Sequence, residues 1–358
     1  MLTTTQLIGD WILATKNVAI RKRTETTSVR KAAEKINAGT GGSRRNSRPV
    51  ANDKQLANDK QLAKGKSTSK SVALLAPKVL TTKSESNLRT TKQIPSKKVR
   101  SETIKSWYDY PQLYELGFLK ETPKESKFLE AVFKKYVPYP VNTVLELGCG
   151  SGRLVCDMAT RGYSMTGLDL NPTALEYCQK KLKKLGANAE TVVGDMTNFK
   201  FAKPFDAAVN AINTFRHLES EDAALAHLNC VAEHLKPGGV FVLSLHLLPV
   251  DGDLWGTERW AANADDMSVY YALTVVETSM KTRLEKLRIS MLVKKKQESF
   301  RLSDHITLRI YTAPQLKSLL AKAKQLKLIA VHDFWYDIES TQKLNAEAVD
   351  TILVLQRV

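Results

Sequence analysis

The sequence predicts an α/β fold: a mostly parallel sheet with helices on both faces and an antiparallel β insertion after its fifth strand. Three observations predict it. The run TVLELGCGSGR at 143–153 reads as a buried strand, a glycine turn and a helix start, and Leu154, Val155, Met158 and Ala159 then recur at helical spacing. Residues 163–168 form a second apolar run that ends on Asp169, about 20 residues beyond Gly150. A third run, 191–193, leads into Gly194, Asp195 and Met196. A glycine turn and two acids, each closing a successive strand, define one crevice along one edge of a sheet.

Gly148, Gly150 and Gly152 remove the side chains that would hold the backbone away from a ligand. The helix that follows points free N–H groups and its positive dipole end back at the turn. Asp169 offers an acceptor where a ribose with two hydroxyls would sit. The segments ELGCGSGR, GLDLN and GDM resemble the cofactor motifs of class I S-adenosylmethionine-dependent methyltransferases. The loop is GxGxG and not the dinucleotide pattern GxGxxG, since Arg153 and Leu154 follow Gly152, which argues against NAD. The resemblance covers about residues 107–358 in overall order. It implies a seven-stranded Rossmann-like sheet with an antiparallel last strand, and S-adenosyl-L-methionine as cofactor. It assigns the turn, Gly148, Cys149, Gly150, Ser151 and Gly152, to the cofactor backbone, and Glu146 to its amino-acid end. Asp169 and its neighbour Leu170 fall to the ribose side, and Asp195 and Met196 to the adenine.

The remaining elements follow in order. Residues 1–105 lack aromatics after Trp11 and are rich in Ser, Thr, Lys, Asn and Gln, so they read as a disordered basic extension with a transient helix at 27–38 and ANDKQL written twice at 51–62. Composition changes at Trp107, and residues 106–140 read as a helical cap on a catalytic domain at 141–358. Phe128, Leu129, Val132, Phe133 and Tyr136 lie on one face of its helix. Relatives of this kind fold such a segment over the cofactor, which makes Tyr108 and Tyr114 candidates beside a sulfonium; packing on the domain edge is the alternative. Asn171 caps a helix at 172–185 that begins with Pro172 and stops at Gly186. Residues 205–211 are the fourth strand, with Asn210 near its tip facing the crevice. Asn213, Arg216 and His217 follow it beside the predicted methyl position. His217 suits a base and Arg216 a carboxylate or phosphate clamp; an ion pair for Arg216 and a capping role for His217 are the alternatives. The Asn/Asp-Pro-Pro-aromatic motif of nucleic-acid amino-methyltransferases is missing here. Residues 221–235 form a helix, 240–245 the fifth strand, and 247–260 an irregular stretch whose Trp255 and Trp260 either roof the acceptor or enter an interface. Alternating runs at 267–280, 284–293 and 300–311 place the β insertion at about 262–312, a candidate homodimer contact. A helix from Pro314 and strands at 328–335 and 351–358 close the chain.

Charge is uneven along the 358 residues. The formal net charge is +17, yet residues 1–105 hold 23 Lys and Arg against 7 Asp and Glu, and the rest holds 31 against 30. The tail's charges are scattered without aromatics, which favours a solvated extension over a nucleic-acid tether. The start faintly resembles an organelle transit peptide, with Asp10, Glu25 and Glu34 against it. Cys149, Cys156, Cys178 and Cys230 form no CxxC pair, so they read as reduced thiols in the cytoplasm with no metal site. No apolar run reaches about eighteen residues, so no membrane span is expected. These readings point to methyl transfer onto a small-molecule acceptor; nucleic-acid or protein methylation through the tail, and a non-catalytic cofactor-binding module, are the rivals.

Overall fold

The computed structural model describes residues 100–104, 106–249 and 252–358. The expected basic extension, with its helix at 27–38 and its repeated hexamer, lies outside the described residues up to position 99. Strand β1 (Arg100–Thr103) is followed by a 3-10 turn (Trp107–Asp109), helix α1 (Pro111–Leu116) and helix α2 (Thr122–Tyr136). Ser106 caps the 3-10 turn by accepting from the Tyr108 N–H, and Pro111 opens α1 where a missing donor costs nothing.

The next elements alternate. They are β2 (Thr143–Leu147), α3 (Arg153–Thr160), β3 (Ser164–Asp169), α4 (Pro172–Leu185), β4 (Ala189–Val193) and β5 (Phe205–Asn210). Asn171 caps α4 by accepting from the N–H groups of Thr173 and Ala174, and Gly186 ends it at φ +62°. A 3-10 turn (Thr214–His217) leads to α5 (Glu221–Glu233) and the long β6 (Leu235–His246). Four more strands come next: β7 (Thr257–Ala264), β8 (Met267–Ser279), β9 (Leu284–Lys295) and β10 (Ser299–Arg309). Helix α6 (Ala313–Lys322), β11 (Leu326–His332) and β12 (Asp350–Arg357) complete the chain.

The main sheet has seven strands in the order β11-β12-β6-β5-β2-β3-β4. Strands β2 to β6 run parallel, and β12 is antiparallel to both neighbours. The chain moves outward from β2 to β4, then crosses to β5 on the other side of β2. That reversal opens a crevice at the strand tips. Side chains alternate between two cores. Leu145, Leu147, Phe241, Leu243 and Leu245 pack with α5 and α6, whereas Val144, Val240 and Val242 pack with α2, α3 and α4. Because both faces are covered, a central strand such as β5 is buried at every position.

The second sheet has five strands in the order β1-β10-β9-β8-β7. Its apolar face, with Val269, Tyr271, Ile289, Met291 and Val293, packs against Ile104, Trp107 and Leu113 of the segment before α2. The Tyr271 hydroxyl donates to the Leu113 carbonyl at 2.6 Å, and the Trp260 ring stacks on Tyr271 at 4.9 Å. Strand β6 begins at Leu235, five residues before the expected 240, and β11 spans Leu326–His332 against the expected 328–335. Two strands form where none was expected. The stretch expected to be irregular up to Trp260 contains β7 from Thr257, so the β structure starts before 262. Strand β1 lies inside the segment expected to be disordered, and pairs parallel with β10. Both are the edge strands of their sheet, with polar or alanine-rich sequences that show little alternation. No helix among the described residues is long and apolar enough to cross a membrane.

Strand β1 carries a testable consequence. Ile104 is buried, and its N–H donates to the Ser303 carbonyl at 2.9 Å. A chain starting at Ser106 is expected to melt several degrees below one starting at residue 99, since burial of such a side chain is worth about 1.5–3 kcal/mol. Equal melting temperatures in a calorimetric comparison would show that β1 adds nothing.

Candidate active site

The three glycines of the turn after β2 all have positive φ, and they do different work. The Gly148 N–H donates to the Leu168 carbonyl at 2.7 Å, and a Cβ there would lie 2.3 Å from Thr214 Cγ2. At Gly152 a Cβ would lie 2.1 Å from Cys178 Sγ, so this glycine serves the close packing of α3 on α4. At Gly150 a Cβ would meet nothing within 4 Å. Gly150 is therefore where the turn presents bare backbone to open space. Its N–H donates to Asp169 Oδ2 at 2.7 Å, and the Asn171 N–H donates to Oδ1 at 2.8 Å. Burial pushes the Asp169 carboxyl up, and these backbone donors oppose the shift.

Behind the turn, Glu146 is only 3% exposed and accepts from the Val155 N–H at 3.1 Å. Burial pushes its carboxyl up to about 8, and the Arg153 guanidinium opposes that shift. Arg153 is itself buried, donating to Glu125 at 2.5 Å and to Thr122 Oγ1 at 3.3 Å.

A cavity of about 640 Å³ runs from this turn to the second sheet. Tyr108 and Tyr114 face it from the segment before α2, and Trp260, Leu273, Ile306 and Leu308 face it from the second sheet. The Tyr108 hydroxyl and His217 Nε2 share a hydrogen bond of 2.9 Å. Burial, and then the charge of Arg216, holds the His217 imidazole down to about 4. Burial also raises the Tyr108 phenol well above its ordinary value.

Of the residues singled out from sequence, Glu146, Gly148, Cys149, Gly150, Ser151, Asp169, Leu170 and Met196 line this cavity, together with Tyr108, Asn213 and His217. Four do not. Gly152 faces α4. Arg216 turns away to form an ion pair with Glu285 and donates through Nε to the Arg309 carbonyl at 2.9 Å, so it ties the 3-10 turn to the second sheet. Asn210 is fully buried, with its amide against Met196 Sδ at 3.5 Å. Asp195 stands at the rim, where its Oδ1 accepts from the Thr197 N–H and hydroxyl at 2.7 and 2.8 Å. Asn213 supports the backbone: at φ +63°, its Oδ1 accepts from the His246 N–H at 2.9 Å.

Three residues were missed, Glu258 of β7 among them. His246, at the tip of β6, lines the cavity, and its Nδ1 lies 2.8 Å from Asp350 Oδ1. Its place at a strand tip was a legible signal; Asp350, at the start of β12, left none.

Residues 144–239 match the family model described as a methyltransferase domain. This segment is a class I methyltransferase domain. The methyltransferase domain is 33% identical over 115 residues to the cypemycin N-terminal methyltransferase of a Streptomyces species, covering 32% of this chain and 46% of that protein. It is 26% identical to a Streptomyces venezuelae dTDP-3-amino-3,4,6-trideoxy-alpha-D-glucopyranose N,N-dimethyltransferase, over 38% of this chain and 56% of that one. It is 29% identical to the mitochondrial ubiquinone biosynthesis O-methyltransferase of Schizosaccharomyces pombe, over 40% and 52%. The chain thus spans about half the length of these curated relatives. Among solved structures, Streptomyces venezuelae DesVI superposes with a TM-score of 0.58 at 18% identity, over 69% of this chain and 96% of its own, which shows a shared fold. Three features of the cavity fit S-adenosyl-L-methionine as the methyl donor of such a domain. Gly150 presents open backbone, the Ser151 hydroxyl is buried without a hydrogen-bond partner, and Leu170 is 68% exposed at the cavity.

Glu146 generates a prediction with a definite sign. Its carboxyl ordinarily ionises near 4.5, and in the folded chain near 8. The stability it contributes is complete below the lower value and is lost as pH rises through the upper one. Glu146→Gln keeps the uncharged form at every pH. Its melting temperature is expected to climb relative to wild type between pH 6 and pH 9, and a gap independent of pH would contradict the burial argument.

Proposed function

We propose that this protein transfers the methyl group of S-adenosyl-L-methionine to a small acceptor, neutral or basic, in the cytoplasm. The observation that carries this reading is the chemistry of the cavity's lining. Besides the glycine turn, the lining includes Trp260, Leu273, Ile306 and Leu308 of the second sheet, the imidazoles of His217 and His246, and the carboxylate of Glu258. Among the described residues, Arg153 is the one Lys or Arg lining the cavity, and it is committed to Glu125. An anionic acceptor would find no counter-charge. The volume lies within the range of small-molecule sites, about 300–1,000 Å³. Of the relatives named above, one is an N,N-dimethyltransferase, one an N-terminal methyltransferase and one an O-methyltransferase by name. The four buried free cysteines suit a reducing compartment.

When bound, S-adenosyl-L-methionine supplies a methyl group on a positively charged sulfur, an electrophile needing no metal or covalent enzyme intermediate. The chain's work is then to bind, orient and exclude water. The turn at Gly150 admits the ligand's backbone, and Asp169 offers its remaining lone pairs to ribose hydroxyls. The interlocked rings of Trp107, Tyr108 and Tyr114, with centroids 5.0 to 5.4 Å apart, close one side against solvent.

The test is methylation of a metabolite pool with isotope-labelled cofactor and mass detection. The expected result is label in a small molecule retained by cation exchange or passing through uncharged. Label confined to RNA or protein, or to acidic metabolites, would overturn the reading. Separately, Asp169→Ala is expected to weaken cofactor binding by about 1–3 kcal/mol in calorimetry, because it unpairs the Gly150 amide and removes the ribose acceptor.

A further inference from the structure

We propose that His246, oriented by Asp350, is the base that takes the acceptor's proton, and that the acceptor presents this proton on an ammonium nitrogen. This rests on the methyl-transfer reading above. The dyad is a product of strand register: His246 of β6 and Asp350 of β12 are directly paired neighbours across the antiparallel ladder. Asp350 Oδ1 accepts from Nδ1 of the ring at 2.8 Å, which places the ring's proton on that nitrogen and leaves Nε2 with its lone pair. Nε2 has no hydrogen bond within the described residues. The residue is held from other sides as well. Asn213 Oδ1, from the turn after β5, accepts from the backbone N–H of His246, and the Phe334 ring packs on the imidazole at 5.0 Å. Gln342 holds the Asp350 backbone by donating to its carbonyl at 2.6 Å. The charged group in direct contact with the ring is Asp350.

The other imidazole in the cavity is badly placed for proton transfer. His217 shares its Nε2 with the Tyr108 hydroxyl, stands next to the Arg216 cation and is buried, so it resists protonation near neutral pH. The nature of the acceptor follows from what surrounds it. Glu258, exposed on β7, lines the same cavity as Trp260 and Tyr108 and makes no ion pair among the described residues. A carboxylate with aromatic rings suits a cation. An amine that arrives as an ammonium has no lone pair and must lose a proton before it can attack.

The step balances. The ammonium N–H proton passes to His246 Nε2, and the freed nitrogen lone pair forms the N–C bond as the S–C bond breaks with its electrons kept on sulfur. The positive charge passes from the sulfonium to the methylated nitrogen, and the imidazolium proton returns to water after the product leaves.

The experiment uses the full chain, His246→Gln and Asp350→Asn. Cofactor affinity by calorimetry is expected to stay within about twofold of wild type, which checks that both variants fold. In nitrogen-15 spectra of the free wild-type protein, the His246 ring should carry its proton on Nδ1, and Asp350→Asn should redistribute it. Turnover is read as S-adenosylhomocysteine formed with the cation-exchange-retained fraction of a metabolite pool. His246→Gln should lose about 100-fold or more at pH 7, the scale of general-base catalysis, and recover toward wild type at pH 10, where solvent has deprotonated the amine. A loss below threefold, a deficit equal at both pH values, or a ring proton on Nε2 in wild type overturns the proposal while methyl transfer stands. A wild-type protein that forms no S-adenosylhomocysteine with any fraction overturns the methyl-transfer reading itself, and the dyad with it.

Discussion

The hydrogen bond from the Gly150 amide to the Asp169 carboxylate joins the tips of two neighbouring parallel strands, and the site is assembled around it. It converts a glycine turn into a rigid floor. The same carboxylate accepts from the Asn171 amide, and the Asn171 side chain then caps α4, so one acid sets both the turn and the start of the next helix. The glycines on either side of Gly150 close against Thr214 and Cys178, which locks the turn to its surroundings while Gly150 faces open space.

The second sheet and the segment before α2 form the other half of the site. They meet through Trp107, Leu113 and Tyr271, and together face the cavity opposite the glycine turn. Arg216 ties the β5 side of the crevice to this sheet through Glu285 and the Arg309 carbonyl. A residue that reads in sequence either as a clamp for an anion or as an ion-pair partner takes the second role and acts as a strut. With Arg216 turned to Glu285, the cavity lining on that side holds aromatic rings, two imidazoles and a carboxylate, which is the basis of the proposed neutral or cationic acceptor.

Burial separates the roles of ionisable groups that look alike in sequence. His217 and His246 both reach the cavity, but His217 is enclosed beside a guanidinium and bonded to a phenol, whereas His246 is backed by a carboxylate. Glu146 and Asp169 are both strand acids at the cavity; Glu146 is buried and resists ionisation, and Asp169 is held by backbone donors.

The sequence by itself determined the parallel core, the glycine turn and the bounds of α4, because these depend on local signals. Gly150, the Asn171–Pro172 start of α4 and the apolar run of β2 each announce a backbone conformation within a few residues. Only the tertiary structure decided which candidates share a cavity. Arg216 turned from the cavity to a part-buried pair with Glu285, 69 positions along the chain, and the His246 dyad formed because strand pairing brought Asp350 across 104 positions. The edge strands β1 and β7 were equally silent, since a strand with one neighbour and an exposed face need not alternate. Spacing along a chain reports periodicity, whereas hydrogen bonds and burial between distant strands depend on register, which no short stretch of sequence contains.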